Sequence, residues 1–126
     1  MQDPTGHIYD QLSDEMPLYA LVEAFYRGIA GDPLLRPMYP DDLEQARDHL
    51  VLFLIQRFGG PTTYSRQRGH PRLRMRHMPF QIGAAERDAW LTHMNAALES
   101  VPELSPFRDD LKAYFQSTAE FLVNAG

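Results

Sequence analysis

Gly69-His70-Pro71-Arg72-Leu73-Arg74-Met75-Arg76-His77-Met78-Pro79-Phe80 sets a histidine directly after three alternating arginines and just before a proline. The spacing predicts a short helix over Arg72–His77. Leu73 and His77 are four apart and share a face of it. Pro79 stops that helix from running on. A neutral imidazole held this way can ligate a metal, and the arginines can meet anionic groups beside it. On local spacing alone, such a histidine is more often structural or exposed than a ligand.

Outward from this stretch the chain reads as helices. Pro17 suits an early helical position. Leu18, Leu21, Val22, Phe25 and Ile29 follow at spacings of three and four, an amphipathic stripe that should end near Gly31-Asp32-Pro33. Ile8, Tyr9 and Leu12 can add a short cover to the core after a loose first seven residues. Leu34 to Met38 offers another turn. Asp41 or Asp42 can cap a second long helix, whose apolar side is Leu43, Ala46, Leu50, Phe53, Leu54 and Phe58. Gly59-Gly60-Pro61 stops it. Thr62 to Pro71 is polar and poorly periodic and is expected to cross the surface, with Tyr64 free to pack inward. A third long helix begins near Ala84 and carries Trp90, Leu91, Met94, Ala97 and Leu98. Ser105 and Pro106 are expected to cap and open the last one, which continues through Leu111, Tyr114, Phe115, Thr118, Ala119 and Leu122. No alternating strand pattern of any length occurs, so the expected class is all-α.

The 126 residues suit one compact domain, residues 1–126. A net charge of -5 gives no broad nucleic-acid signature. The positive charge gathers from Arg66 to Arg76, which fits a local site for small anions better. With no cysteine, disulfides and thiolate chemistry are excluded. No apolar run approaches a membrane span, and the start lacks the parts of a signal peptide. A cytoplasmic protein is the expectation, with neither membrane nor nucleic acid as partner. The serines suggest no nucleophilic triad. His7, His70 and His93 form no recognisable zinc pattern.

In order along the chain, Phe25-Tyr26, Tyr39-Pro40, Gly59-Gly60-Pro61, the whole Gly69–Phe80 segment and Arg87-Asp88-Ala89-Trp90 resemble the landmarks of truncated haemoglobins of the second group. The resemblance covers roughly residues 8–124. Any one pair is weak, and the ordered combination is specific. It implies a two-over-two helical globin holding haem b. Truncated globins commonly carry a glycine pair between their first two helices. Here Asp14-Glu15-Met16-Pro17 stands instead, with Pro17 as the helix start. The loop from Tyr39 to Ala46 is slightly shorter than in some of these globins.

His77 matches the family's proximal iron ligand, a suitable role for an imidazole nitrogen. Its other nitrogen should then be hydrogen-bonded to fix ring orientation. Tyr26, Trp90 and Tyr39 match distal positions. A phenol or an indole N–H there can donate to a bound ligand with negative character. Each alone could equally bridge core and solvent or fill the core. Ala46 and Leu50 match the small and apolar distal positions. Ala46 stands where larger globins have a histidine, so it supplies no acid or base. Phe53, Leu54 and Leu73 pack around the haem or continue the core. Arg74 and Arg76 point in different directions, so one is expected to meet a haem propionate and the other to stay exposed. His49 is a further propionate candidate, with a contact that depends on pH.

The function this implies is reversible binding of dioxygen, nitric oxide or carbon monoxide. A haem redox enzyme is the first alternative, either a nitric-oxide dioxygenase or peroxidase-like. It would need a separate reductase, and no distal histidine is evident for peroxide chemistry. A haem-based sensor or interaction protein is the second. Monomer and homodimer are both open.

Overall fold

Pro17 lies in the first turn of a long helix, where its missing N–H costs nothing. The computed structural model describes residues 3–125, and the helices predicted from apolar spacing are present in it. In chain order they are α1 (Ile8–Gln11), α2 (Met16–Ala30), α3 (Glu44–Arg57), α4 (Thr63–Arg68), α5 (Leu73–His77), α6 (Ala84–Glu99) and α7 (Arg108–Phe121). Short 3-10 turns at Arg36–Met38 and Pro102–Phe107 join them, and no strand occurs among the described residues. The fold is all-α, with α2 packed on α3 and α6, and α6 packed on α7.

The stripe Leu18, Leu21, Val22, Phe25 and Ile29 of α2 is buried throughout. It meets Leu91, Met94 and Leu98 of α6 and Leu111 and Phe115 of α7 in one apolar core. Close approach of α2 to α6 depends on Gly28. A Cβ there would lie 2.4 Å from Nδ1 of His93. His93 in turn pairs with Asp32 across the two elements at 2.7 Å. Asp32 also accepts the backbone N–H groups of Leu34 and Leu35, ending α2 in an ordered turn.

Of the two capping candidates ahead of α3, the Asp42 carboxylate accepts the Glu44 N–H at 2.9 Å. The Asp41 carbonyl instead accepts from the Arg36 guanidinium, which also reaches Pro40 O. Arg36 thereby staples the loop that carries Tyr39.

Three segments differ from expectation. The polar stretch after Pro61 crosses the surface, as expected, but does so as helix α4. Six residues without periodicity do not nucleate a helix by themselves. Here the Gln56 side chain supplies the nucleus from α3, accepting the Ser65 N–H and donating to the Ser65 hydroxyl. Tyr64 turns inward and meets Phe53 edge-on at 5.6 Å. Secondly, Ser105 and Pro106 lie inside the 3-10 turn, and α7 starts only at Arg108. Burial of Leu104 holds that turn against the core and delays the helix. Thirdly, the N-terminal stretch is tied down from Asp3 onward, residues 1–2 lying outside the described residues. Arg57 pairs with Asp3 at 2.7 Å and donates to the buried Thr5 hydroxyl.

That N-terminal strap explains Gly59. Its φ is +101°, and a Cβ there would sit 2.3 Å from the Gly6 carbonyl oxygen. Backbone cannot swing away as a flexible side chain can. Gly59→Ala is expected to cost about 2 kcal/mol or more through strain and overlap together. A thermal melt reads this, and an unchanged midpoint would contradict it.

Candidate functional site

Helices α3 and α6 carry apolar residues on more than one side, which a single buried face does not require. Val51, Leu54 and Ile55 of α3 and Phe58 at its end are buried, while Leu50 and Phe53 are only half-buried. On α6, Leu91 and Met94 are buried and Trp90 is half-buried. The half-buried set shares a cavity of about 460 Å³, within the range of small-molecule and cofactor sites. Tyr26, Tyr39, Ala46, His49, Leu50, Phe53, Leu54, Leu73, His77 and Trp90 all line it.

Two of the twelve predicted site residues do not. The Arg76 guanidinium donates to the backbone oxygens of Pro71 and Arg68, so it holds the link between α4 and α5. Arg74 turns outward and lies 5.3 Å over the Phe121 ring. The arginines that do line the cavity are Arg87 of α6, which pairs with Asp88, and Arg68, at the end of α4. Of the two, Arg68 is the one left unsatisfied. Its guanidinium lies against the His49 ring, 2.7 Å from Nδ1 and 2.6 Å from Nε2. Its Nε is buried with no hydrogen-bond partner. A buried guanidinium N–H without an acceptor is costly, and a carboxylate entering the cavity beside it would supply one. Burial first, and the Arg68 charge next, hold His49 below the ordinary histidine value.

His77 sits at the end of α5. Its Nδ1 lies 2.6 Å from the Leu73 carbonyl oxygen. A carbonyl only accepts, so Nδ1 carries the proton and Nε2 keeps its lone pair. The partner of the second ring nitrogen is therefore the backbone one turn earlier. Before α5 the chain turns sharply through Arg72, whose φ of +46° is left-handed. After it, Asn124 binds the carbonyls of His77 and Phe80 and the N–H of Ile82. The short helix is thus tied at both ends, to α4 through Arg76 and to the end of α7 through Asn124.

The aromatic residues of the cavity form a connected group. Tyr26 meets Tyr39 edge-on at 5.6 Å and Phe25 at 5.0 Å. Phe25 in turn contacts Trp90 at 5.2 Å. Burial raises the Tyr26 phenol far above its ordinary value, and the Tyr39 hydroxyl adds to the rise. Burial likewise pushes Tyr39 up to about 12, against a hydrogen bond from Trp90 that lowers it. Both phenols therefore keep their protons near neutral pH and remain donors. Glu86 also borders the cavity, but its carboxylate accepts the Gly83 N–H as part of the cap of α6.

Among the described residues no three His, Cys, Asp or Glu side chains gather as a metal site. The donor set suits a metal that arrives in its own macrocycle. A single free imidazole nitrogen, apolar walls and one unsatisfied guanidinium are what haem needs: an axial ligand, a hydrophobic slot and a propionate partner. None of the described helices is long and apolar enough to cross a membrane.

Residues 7–124 match the family model of bacterial-like globins. A group 2 truncated hemoglobin of Bacillus subtilis is 39% identical over 116 residues, covering 92% of this chain and 87% of that protein. The solved hemoglobin of the thermophilic phototrophic bacterium Chloroflexus aurantiacus is 49% identical, with a TM-score of 0.90 over 94% of this chain and 98% of that one. The solved truncated oxygen-avid haemoglobin of B. subtilis is 37% identical, with a TM-score of 0.86 over 98% of this chain and 100% of the other.

Proposed function

The chain belongs to the truncated haemoglobin family, and from that premise we propose that it holds haem b and binds dioxygen, nitric oxide or carbon monoxide reversibly. We read residues 1–126 as one globin domain, with its core over about 8–124. The observation that carries the reading is the His77–Leu73 hydrogen bond. It leaves Nε2 of a neutral imidazole available in the same cavity that Tyr26, Tyr39 and Trp90 line.

Bound haem would supply iron with an open coordination position for a diatomic ligand. His77 Nε2 would be its protein ligand, and the proton on Nδ1 keeps that nitrogen neutral and oriented. Leu50, Phe53, Leu54 and Leu73 would supply apolar walls that exclude water. Tyr26 and Trp90 would hold O–H and N–H protons ready for a ligand that gains negative charge. No change of protonation is needed first at Tyr26, because burial keeps the phenol neutral, and the Trp90 N–H would turn to the ligand from the Tyr39 hydroxyl. The cavity's histidines are His77 and His49, and His49 lies against Arg68. Ala46 and Leu50 offer no acid or base, which favours ligand binding over peroxide chemistry.

Toward the carboxylates of a bound haem, Arg68 would present a permanent charge and His49, held below the ordinary histidine value, a neutral ring at pH 7. Arg68→Met is therefore expected to speed haem loss at pH 7 about 10-fold or more, and His49→Ala much less. The effect of His49→Ala should grow as pH falls below 6.5, where the imidazole can take a proton and pair with a carboxylate. Without that carboxylate the sign is opposite. A depressed histidine favours the neutral folded form, so the haem-free protein should lose stability as pH falls through that range. Haem transfer to an acceptor globin, followed from pH 5 to 8, reads both variants. A larger loss from His49→Ala than from Arg68→Met at pH 7 would contradict the assignment.

The functional test is a cycle. Ferrous haem-loaded protein is equilibrated with dioxygen and then purged with argon. Recovery of the starting spectrum over repeated cycles supports reversible binding. Full oxidation to the ferric form in a single pass contradicts it.

A further inference from the structure

From His49 to Ala85 the chain carries six arginines and no acidic residue, although the whole protein has a net charge of -5. That stretch, centred on α4 and α5, is therefore basic throughout, while elsewhere six basic residues are mixed among all 17 acidic ones. Arg68 and Arg76 are used internally, as described. Arg72 and Arg74 are exposed, and their guanidinium groups have no acidic partner among the described residues.

The same face carries large exposed apolar side chains. Met75 is 55% exposed and Phe121 54%. Asn124 binds the carbonyls of His77 and Phe80, which brings the end of α7 beside the segment that follows α5. Between α5 and α7 lies a second cavity, of about 590 Å³, bordered by Arg72, Arg74, Met75 and Phe121. An apolar patch rimmed by unpaired charge marks an interaction surface.

We propose that this face docks an acidic electron-carrier protein, its carboxylates meeting Arg72 and Arg74 and an apolar side chain entering the cavity between α5 and α7. The proposal rests on the haem-binding function given above. Charge complementarity selects an acidic partner, since opposite patches steer and align an encounter. Composition selects a protein over a lipid surface. The patch is Arg, Met and Phe, the residue types enriched in protein interfaces, and the chain's single lysine, Lys112, lies elsewhere. Arginine forks also match carboxylates bidentately, and the concavity suits a protruding side chain better than a bilayer. Docking here approaches the His77 side and leaves the Tyr26–Trp90 side free for small ligands. The reaction served is a one-electron transfer: the carrier is oxidised by one electron as ferric haem becomes ferrous.

The test is a titration of haem-loaded protein with an acidic plant-type [2Fe–2S] ferredoxin and with a flavodoxin, followed by amide chemical shifts and by calorimetry. Saturable binding to at least one carrier is expected, with shifts confined to residues of α5 and the end of α7 and with affinity falling as salt rises. The double variant Arg72→Glu/Arg74→Glu should weaken it about 10-fold or more. Arg27→Glu, a single charge reversal on α2, should not. A second variant, Met75→Ser/Phe121→Ser, should weaken binding without changing its salt dependence. Binding to neither carrier overturns the proposal, as does equal weakening by Arg27→Glu. Binding only to phosphatidylglycerol vesicles also overturns it and assigns the face to a membrane. Self-association lost in the double variant, with no carrier bound, overturns it in favour of a second copy of the chain. The Soret absorption of each variant reports haem uptake separately, so failure of the docking idea is distinguishable from failure of haem binding.

Discussion

A His77→Ala variant is expected to hold haem more than about 100-fold more weakly than the parent, beyond the 10- to 100-fold typical of removing a supporting partner. The physical reason is that no second side chain can replace the lost nitrogen. His49 is the other histidine of the cavity, and it is pressed against Arg68. The expected loss is one of coordination rather than folding, because His77 is half-buried and its helix is tied by Arg76 and Asn124. Added imidazole should therefore restore much of the axial coordination by entering the vacated space. Circular dichroism should be unchanged. Retention of the parental ferrous spectrum by the variant without imidazole would remove His77 from the role. Leu73→Ala offers a contrast. It leaves the backbone carbonyl that orients Nδ1, so it should loosen the cavity wall but keep the same axial ligand.

Tyr26→Phe and Trp90→Phe are expected to speed dioxygen release by about 10- to 100-fold each, the worth of one hydrogen bond to a group bearing charge. Both substitutions keep most of the aromatic volume, so packing against Phe25 should survive. The two effects should be less than additive, because both donors would face one ligand and are linked through Tyr39. Carbon monoxide, which carries less negative charge when bound, should be released with a much smaller change. That difference separates hydrogen bonding from a simple opening of the cavity, which would speed both gases alike. Release should also vary little from pH 6 to 10 on account of the tyrosines, since burial keeps Tyr39 and Tyr26 protonated through that range. Stopped-flow displacement measures all of this. Unchanged dioxygen release in both variants would contradict the distal assignment.

Periodicity carried most of the helical framework. The α2 stripe and the stop at Gly59-Gly60-Pro61 depend on residues close together in sequence, and local chemistry decides them. The α4 helix does not, because its nucleus is the Gln56 side chain from another element. The site shows the same division. A separation of four placed Leu73 and His77 on one face, but identifying the Leu73 carbonyl as the Nδ1 partner required the backbone of a five-residue helix. The arginines show where sequence reasoning stops. Between Arg68 and Arg74 the chain passes through Gly69 at φ +80° and Arg72 at φ +46°. Those two turns reset the direction of every later side chain. Counting positions from His77 therefore favoured Arg74 and Arg76, while the backbone delivers Arg68. A buried arginine nitrogen without a partner has no signature in a linear pattern.

Haem binding through His77 is decided by titrating haem into the purified protein, read at the Soret band together with the iron–histidine stretching mode of the ferrous form. One haem per chain is expected, with a neutral imidazole as its axial ligand. Uptake no greater than that of a haem-free helical control, or uptake without an iron–histidine mode, would contradict it.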